Sequence, residues 1–234
     1  MKTAFFQSFE DSSDREETPL RLSMVQTELK KNNLSGYLVP RSDVHQGEYV
    51  AACDERLSWL TGFTGSAGIC IVGNDRAGIF VDGRYHIQAK KQTKSPFQVI
   101  QWNKKNFLQW IEKNIVKGKI GFDPWLHSNK EIIGLSEAFA DKGISFVPSD
   151  NLIDKVWLTR PLRISSQVMS YPFKLAGLTT KDKCQQIAEI IRLKKADVAV
   201  ITLPDSIAWL LNLRGNDVVH NPILHAFLII NGKG

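Results

Sequence analysis

A motif that occurs twice constrains the fold of this chain more than any other feature. The first copy reads Ser58-Trp-Leu-Thr-Gly-Phe-Thr-Gly65, and the second reads Ala208-Trp-Leu-Leu-Asn-Leu-Arg-Gly215. A predicted helix and strand precede each copy, and an apolar strand and a Gly/Asn turn follow it. The match at a spacing of 150 residues predicts an internal duplication, so we expect two related domains.

The spacing of apolar residues predicts alternating helices and strands. Thr18, which precedes a proline, is typical of a helix start, with its hydroxyl as the cap. Residues 69–72 and 77–81 are predicted strands of a hairpin, because a turn-rich Gly-Asn-Asp segment separates them. Asp82 and Asn103 are predicted caps of the next two helices. The alternation indicates the α/β class, with a mixed sheet flanked by helices.

The domain organisation follows from the duplication and from one break in the pattern. Residues 1–17 are predicted to be a flexible leader, and residues 18–157 the first domain. Residues 158–174 contain two prolines and no periodicity, which indicates an interdomain linker. Residues 175–234 hold only the first half of a second, truncated domain, because the chain stops where the return strand of the repeat should begin. We therefore expect these residues to be part of a longer protein.

Charge and composition exclude several classes of protein. Hydrophobic residues make up 43% of the 234 residues, which is ordinary for a globular chain, and no apolar run approaches the roughly 20 residues that cross a bilayer. There is no secretory signal pattern, and the three cysteines form no disulfide framework, so we expect a cytoplasmic protein. The net charge of +6 suits an acidic partner, but the basic residues are dispersed and not interleaved with aromatic ones. We therefore expect neither a membrane nor a nucleic acid as partner.

The sequence contains no motif of a complete catalytic or metal site. Its five histidines form no recognised metal-binding spacing, and no GxSxG motif is present. Gly62, Gly65 and Gly68 precede a strand, whereas the glycines of a phosphate loop open a helix, so tight turns explain them better. We predict no catalytic residue and no metal ligand in these 234 residues.

Two polar segments between apolar elements are the candidates for function. The first is a charged loop that is predicted either to form a cleft rim or an interface, or to pair its charges locally. Its candidate residues are Arg41, His45, Glu48, Asp54 and Arg56. The second is Asp82-Gly-Arg-Tyr85, at the end of a predicted strand. Its Arg84 either binds a carboxylate or a peptide carbonyl through the planar guanidinium, or forms a structural pair with an aspartate.

The same segments carry a family resemblance. His45-Gln-Gly-Glu-Tyr49, the run from Asp54 to Gly68 and Asp82-Gly-Arg-Tyr85 resemble the first domain of the long, three-domain Xaa-Pro aminopeptidases (aminopeptidase P). Trp157-Leu-Thr-Arg-Pro161 resembles the linker of that family, and Asp205–Gly215 resembles the start of its second domain. The likeness runs from about residue 18 to the end of the chain.

The resemblance implies a fold and an activity. Both domains would have the creatinase/prolidase N-terminal type of α/β fold. A third, C-terminal domain with the pita-bread fold would hold two divalent metal ions, expected to be manganese. A metal-bridged hydroxide would hydrolyse the bond between the first residue of a peptide and a proline at position two. Members of the family are commonly cytoplasmic homodimers, and their substrates are short peptides.

The resemblance transfers one substrate-binding residue to this chain. Arg84 matches the arginine of the Asp-Gly-Arg-Tyr motif, which in relatives reaches from the first domain toward the bound peptide. The third domain and half of the second have no counterpart here, so we expect a non-catalytic part that shapes the substrate cleft and supports assembly. The alternative is a stand-alone, catalytically inactive module of the same fold that binds peptides or proteins.

Overall fold

The structure is a computed structural model that describes residues 13–233. These residues form two compact units, each assembled from separate stretches of the chain. The first unit consists of the residues up to Arg41, Arg56–Asp123 and Asn129–Val156. The second unit consists of Ser42–Glu55, Pro124–Ser128 and the residues from Trp157 onward. Residues 1–12 of the predicted leader lie outside the described part of the chain.

A six-stranded mixed sheet forms the centre of the first unit. Its strands are β1 (Gly36–Pro40), β2 (Gly68–Gly73), β3 (Ala77–Val81), β4 (Phe97–Gln101), β5 (Gly118–Phe122) and β6 (Ile144–Pro148). Their order across the sheet is β4-β3-β2-β1-β5-β6. β2 pairs antiparallel with both β1 and β3, whereas β3–β4, β1–β5 and β5–β6 are parallel pairs. The predicted hairpin and the predicted mixed α/β class are therefore confirmed.

Helices flank this sheet and supply the other part of its core. They are α1 (Thr18–Lys31), α2 (Arg56–Thr61), α3 (His86–Gln92), α4 (Lys104–Asn114), α5 (Asn129–Ala138) and α6 (Leu152–Val156). α4 shows how the sequence sets the packing, since its buried Phe107 and Ile111 lie one turn apart and join the core of the sheet. The predicted cap of α4 is confirmed, because the Asn103 side chain accepts a hydrogen bond from the Asn106 amide at 2.8 Å.

The start of α1 differs from the prediction. Glu17, not Thr18, occupies the cap position, and its side chain makes no capping hydrogen bond. Glu17 already has helical backbone angles, which moves the helix start and leaves Thr18 as the first helical residue. The Thr18 hydroxyl donates instead to the carbonyl of Arg15 at 2.8 Å. Just before the helix, Ser13 donates to the carbonyl of Gly62 at 2.5 Å, within the same unit.

The second unit contains a smaller set of elements. Its helices are α7 (Phe173–Ala176), α8 (Thr180–Leu193) and α9 (Pro204–Leu211), and its strands are β7 (Met169–Ser170), β8 (Val198–Ile201), β9 (Leu213–Arg214) and β10 (Leu228–Asn231). β8 pairs antiparallel with β10, and β7 with β9. Ile191 of α8, Leu210 of α9 and Ile230 of β10 are buried together as its core.

The two copies of the repeated motif have the same local structure. In the first, Gly62 directly follows the end of α2 and has a φ of +78°; in the second, Asn212 directly follows the end of α9 and has a φ of +52°. Both residues adopt the left-handed conformation that glycine and asparagine tolerate best. Each motif is preceded by a helix of 14 residues and a strand, and that strand pairs antiparallel with the strand that follows the motif. The sequence repeat therefore corresponds to a repeated structural unit.

Candidate functional site

A small cavity opens in the first unit where β1, β3 and β4 end. Its volume is about 250 Å³. It is lined by Pro40, Ala67, Gly68, Ile69, Phe80, Asp82, Trp102 and Glu131. In α/β folds, the carboxyl ends of parallel strands are the usual position of ligand sites, because the loops that follow the strands gather there. The predicted segment Asp82-Gly-Arg-Tyr85 begins at this edge, directly after β3.

The turn after β3 fixes the position of Arg84. One carboxylate oxygen of Asp82 accepts hydrogen bonds from both the backbone amide and the side-chain Nε of Arg84, each at 2.9 Å. The bond from the Arg84 amide, together with the bond from its side chain, lowers the pKa of Asp82 below its ordinary value. The predicted structural Arg–Asp pair is therefore present. The Arg84 side chain is nevertheless 71% exposed, so this pair does not bury the guanidinium.

Tyr85 connects this turn to Ser66 and Phe63. Its hydroxyl lies 2.7 Å from the Ser66 hydroxyl, and its ring packs edge-on against Phe63 with 5.7 Å between ring centres. The hydrogen bond with Ser66 lowers the pKa of Tyr85. The Arg84 guanidinium lies 5.4 Å from the centre of the Tyr85 ring, within cation–π range. Arg41 donates to the Ser66 carbonyl at 3.3 Å, so the structure brings Arg41 and Arg84 to the same hydrogen-bonded group.

Arg56 belongs to a different part of the first unit. Its Nε and a terminal nitrogen donate to the two oxygens of Asp154 on α6, at 2.7 and 3.0 Å. Arg56 is 5% exposed, so this bidentate pair is buried. Arg56 therefore joins α2 to α6 and does not line the cavity at the strand ends.

His45 and Glu48 lie in the second unit, around a cavity of about 240 Å³. Asp43, Asp205 and His225 also line this cavity. One oxygen of the buried Asp43 carboxylate accepts hydrogen bonds from the His45 amide at 2.9 Å and the Gly47 amide at 3.1 Å. The loop is therefore folded around an aspartate that we did not single out from the sequence.

Asp54 is also part of the second unit, where it is 1% exposed. It accepts hydrogen bonds from Arg160 at 3.2 Å and from Arg163 at 2.9 and 3.1 Å. Its charge is thus paired in a buried network, with arginines that are distant in the sequence and not within the loop. No local signal in the sequence could have joined Asp54 to these arginines, because more than 100 residues separate them.

The described residues do not provide a metal centre. Between residues 13 and 233, no three His, Cys, Asp or Glu side chains come together as a ligand set. The donors needed for a pair of divalent ions, which are carboxylates and imidazoles in one cluster, are therefore not assembled in this part of the chain. Over the same residues, no helix combines the length and the apolar character needed to span a bilayer.

Comparison with known families identifies the fold. The sequence model of the creatinase/prolidase N-terminal domain matches residues 21–156, and a second model of the same description matches residues 159–233. This chain therefore belongs to the creatinase/prolidase N-terminal domain family. The two matched stretches contain the two copies of the repeated motif, in agreement with the internal duplication.

The similar proteins are longer than this chain. It is 36% identical over 219 residues to a probable Xaa-Pro aminopeptidase P of Talaromyces stipitatus, a match that covers 91% of this chain and 33% of the relative. The corresponding protein of Ajellomyces dermatitidis is 37% identical over 220 residues, with 92% and 36% covered. The chain thus spans about a third of the length of the relatives it matches.

A solved structure shows the same fold. It is the X-prolyl aminopeptidase of Caenorhabditis elegans, described as a cytosolic enzyme with a di-nuclear active site. The TM-score is 0.83 at 29% sequence identity, over 92% of this chain and 37% of the worm protein.

Proposed function

We propose that this chain is the N-terminal, non-catalytic region of a metal-dependent aminopeptidase that removes the first residue from peptides with proline at position two. The observation that carries the proposal is the likeness to Xaa-Pro aminopeptidases, which covers nearly all of this chain but about a third of each relative. Within that enzyme the region shapes the substrate cleft and supports assembly. Its domains are residues 18–157 and 175–234, joined by the linker 158–174.

The proposal places the chemistry outside these residues. Two divalent metal ions would supply a Lewis acid and an activated water when bound. The di-nuclear site described for the worm relative supports this. From the resemblance we expect these ions to be manganese. We further propose that the complete enzyme is cytoplasmic, as described for the worm relative, and that it acts as a homodimer.

Arg84 is the proposed substrate-binding residue. Its guanidinium is largely exposed, and the double hydrogen bond to Asp82 together with the Tyr85 ring holds it at the edge where β3 ends. A planar guanidinium in a fixed orientation can bind the carbonyl or carboxylate of a short peptide. Arg41, which shares the Ser66 contact, is proposed for the rim of the same site.

The remaining candidates receive weaker proposals. His45 and Glu48 line the cavity of the second unit and are proposed for a cleft rim or a subunit contact. Asp54 and Arg56 are buried in ion pairs, and this burial supports a structural role for both. Their predicted role at a cleft rim or an interface is the less supported proposal.

The first test compares this chain with the product of the longer reading frame. Hydrolysis of Arg-Pro-Pro is measured for both, with and without added manganese. We expect activity in the longer protein with manganese and none in this chain. If this chain hydrolyses the peptide by itself, the non-catalytic role is contradicted. If neither protein is active, the peptide-binding module is favoured instead.

The second test is Arg84→Ala in the longer, active enzyme. We expect kcat/KM for Arg-Pro-Pro to fall by about 10- to 100-fold, because a hydrogen-bonded charged contact to substrate is lost. Arg76→Ala is the matched control, since Arg76 is also an exposed arginine paired with an aspartate, Asp75. An unchanged kcat/KM in Arg84→Ala, or an equal loss in the control, would contradict the role of Arg84.

A further inference from the structure

Two histidines that are far apart in the sequence lie stacked in the second unit. His45 belongs to the loop Ser42–Glu55, and His225 precedes β10. Their ring centres are 4.8 Å apart at an interplanar angle of 26°. The His45 ring also stacks on Phe227, with 4.6 Å between ring centres and an angle of 30°. Both imidazoles are nearly enclosed, since His45 is 5% exposed and the His225 side chain 7%.

The hydrogen bonds indicate which ring nitrogens carry a hydrogen. Nδ1 of His45 lies 2.9 Å from the carbonyl of Thr202, an acceptor, so this nitrogen carries the hydrogen. Nδ1 of His225 lies 3.0 Å from a terminal nitrogen of Arg163, which can only donate, so this nitrogen is the acceptor. Neutral His225 therefore carries its hydrogen on Nε2, which faces the carboxylate of Asp43 at 3.6 Å.

Protonation of His225 conflicts with this arrangement. The incoming proton must bind Nδ1, the atom that accepts the hydrogen bond from Arg163, so the bond would break and two cations would face each other. The new charge would also lie against the His45 ring. The charged and titratable groups around the two rings are Asp43, Glu48, Asp54, Arg163, Asp205 and Asp217.

The balance of these groups disfavours the charged form of His225. Burial, then His45, and to a smaller extent Arg163 lower the pKa of His225 below its ordinary value of 6.5, against the opposing effect of Asp43 and Asp217. An unfolded or opened chain takes up this proton more readily than the folded one. The folded arrangement is therefore fully stable above about pH 6.5 and loses stability as the pH falls below that value.

The same contacts hold the loop at both ends. Near the start of the loop, His45 stacks on His225. Near its end, Asp54 accepts a hydrogen bond from Arg163, which also donates to His225. We propose that His45, His225 and Arg163 form a pH-sensitive clasp that holds the loop Ser42–Glu55 at neutral pH and releases it in mildly acidic solution. The open loop exposes the Asp43 carboxylate and the cavity that it lines.

Hydrogen exchange of this chain tests the clasp directly. The amides of Gln46, Gly47 and Asp54 are hydrogen bonded within the loop, and those of β2 serve as internal reference. After correction for the intrinsic effect of pH, we expect loop protection to fall by up to about tenfold for each pH unit below 6.5, while β2 is unchanged. Equal loop protection at pH 7.5 and at pH 5.5 would overturn the proposal.

Two variants separate His225 from general acid effects. His225→Phe keeps an aromatic ring in the stack but cannot be protonated, so we expect the pH dependence of loop protection to disappear. His220→Asn is the control, because His220 is exposed and has a φ of +61°, which asparagine tolerates; it should respond to pH like the parent chain. A pH response that persists in His225→Phe would overturn the proposal.

An NMR titration keeps the proposal testable if His225→Phe does not fold. The imidazole signals of the unsubstituted chain are followed between pH 8 and pH 5. The expected result is that His225 titrates below 6.5, together with changes in the loop amides. A His225 signal that titrates at or above 6.5 would show that the folded loop tolerates the charge, and the clasp would be excluded.

Discussion

Arg84–Asp82 and Arg56–Asp154 join the same two side-chain types within the first unit, but their surroundings differ. The Arg84 side chain is 71% exposed and that of Arg56 is 6% exposed. An exposed pair contributes little to stability, because water solvates each charge almost as well as the partner does. A buried arginine has little contact with water, so its charge is stabilised mainly by its partner. This difference is why we propose a binding role for Arg84 and a structural role for Arg56.

Removing either partner of the buried Arg56–Asp154 pair should lower the stability of the chain, but by different amounts. Asp154→Ala should lower the free energy of unfolding by about 3 kcal/mol, because it leaves the enclosed Arg56 charge without its bidentate partner. Arg56→Ala should cost less, about 1 kcal/mol, since Asp154 is 30% exposed and water can solvate it. Urea unfolding measures both. Equal losses, or a larger loss in Arg56→Ala, would contradict this account.

At the scale of elements, the repeated motif determines how a short helix ends. Gly62 follows α2 with a φ of +78°, and a Cβ at this position would lie 2.6 Å from the carbonyl oxygen of Gln92. Asn212 makes the same left-handed turn after α9, and its side chain accepts a hydrogen bond from Lys183 at 2.7 Å. The turn therefore needs a residue that tolerates positive φ, and the space around it decides between glycine and asparagine.

Gly62→Ala should destabilise the chain by about 2 kcal/mol or more, because it adds both the strain of positive φ and a contact with backbone that cannot move aside. Gly134→Ala is the matched control. Gly134 lies in α5 with no atom within 4 Å of an added Cβ, so alanine should stabilise by about 0.5–1 kcal/mol. Thermal or urea unfolding compares the two variants. A neutral Gly62→Ala would show that the turn is not constrained.

At the scale of the whole molecule, the two units differ in the size of their buried apolar clusters. Thirteen buried residues form one cluster on the sheet of the first unit, whereas two clusters of the second unit hold three buried residues each. Since buried apolar area is the main source of stability, we expect the second unit to unfold at lower urea concentration than the first.

Core variants can assign the two expected unfolding transitions. Ile191→Ala should shift only the transition at lower urea, and Ile111→Ala only the one at higher urea, each by about 2–5 kcal/mol. Tryptophan fluorescence and far-UV circular dichroism follow both steps. A single transition that both variants shift equally would instead show that the units unfold together.

Local pattern was sufficient to predict the mixed α/β class, the hairpin of β2 and β3, and the cap of α4. Each depends on residues close in sequence, whose spacing and side-chain type limit the backbone directly. The start of α1 was misplaced by one residue, because the backbone before it already turns as a helix and Thr18 bonds backward to Arg15.

The environment of the charged residues could not be read from local pattern. Asp54 meets Arg163, and His45 stacks on His225, across more than 100 residues, so their contacts depend on how the whole chain closes. Burial also differs between Arg56 and Arg84, although both are arginines beside apolar segments. The sequence thus identified which side chains can carry charge. The fold determined which of them are enclosed, and the energy of a charge depends mainly on that enclosure.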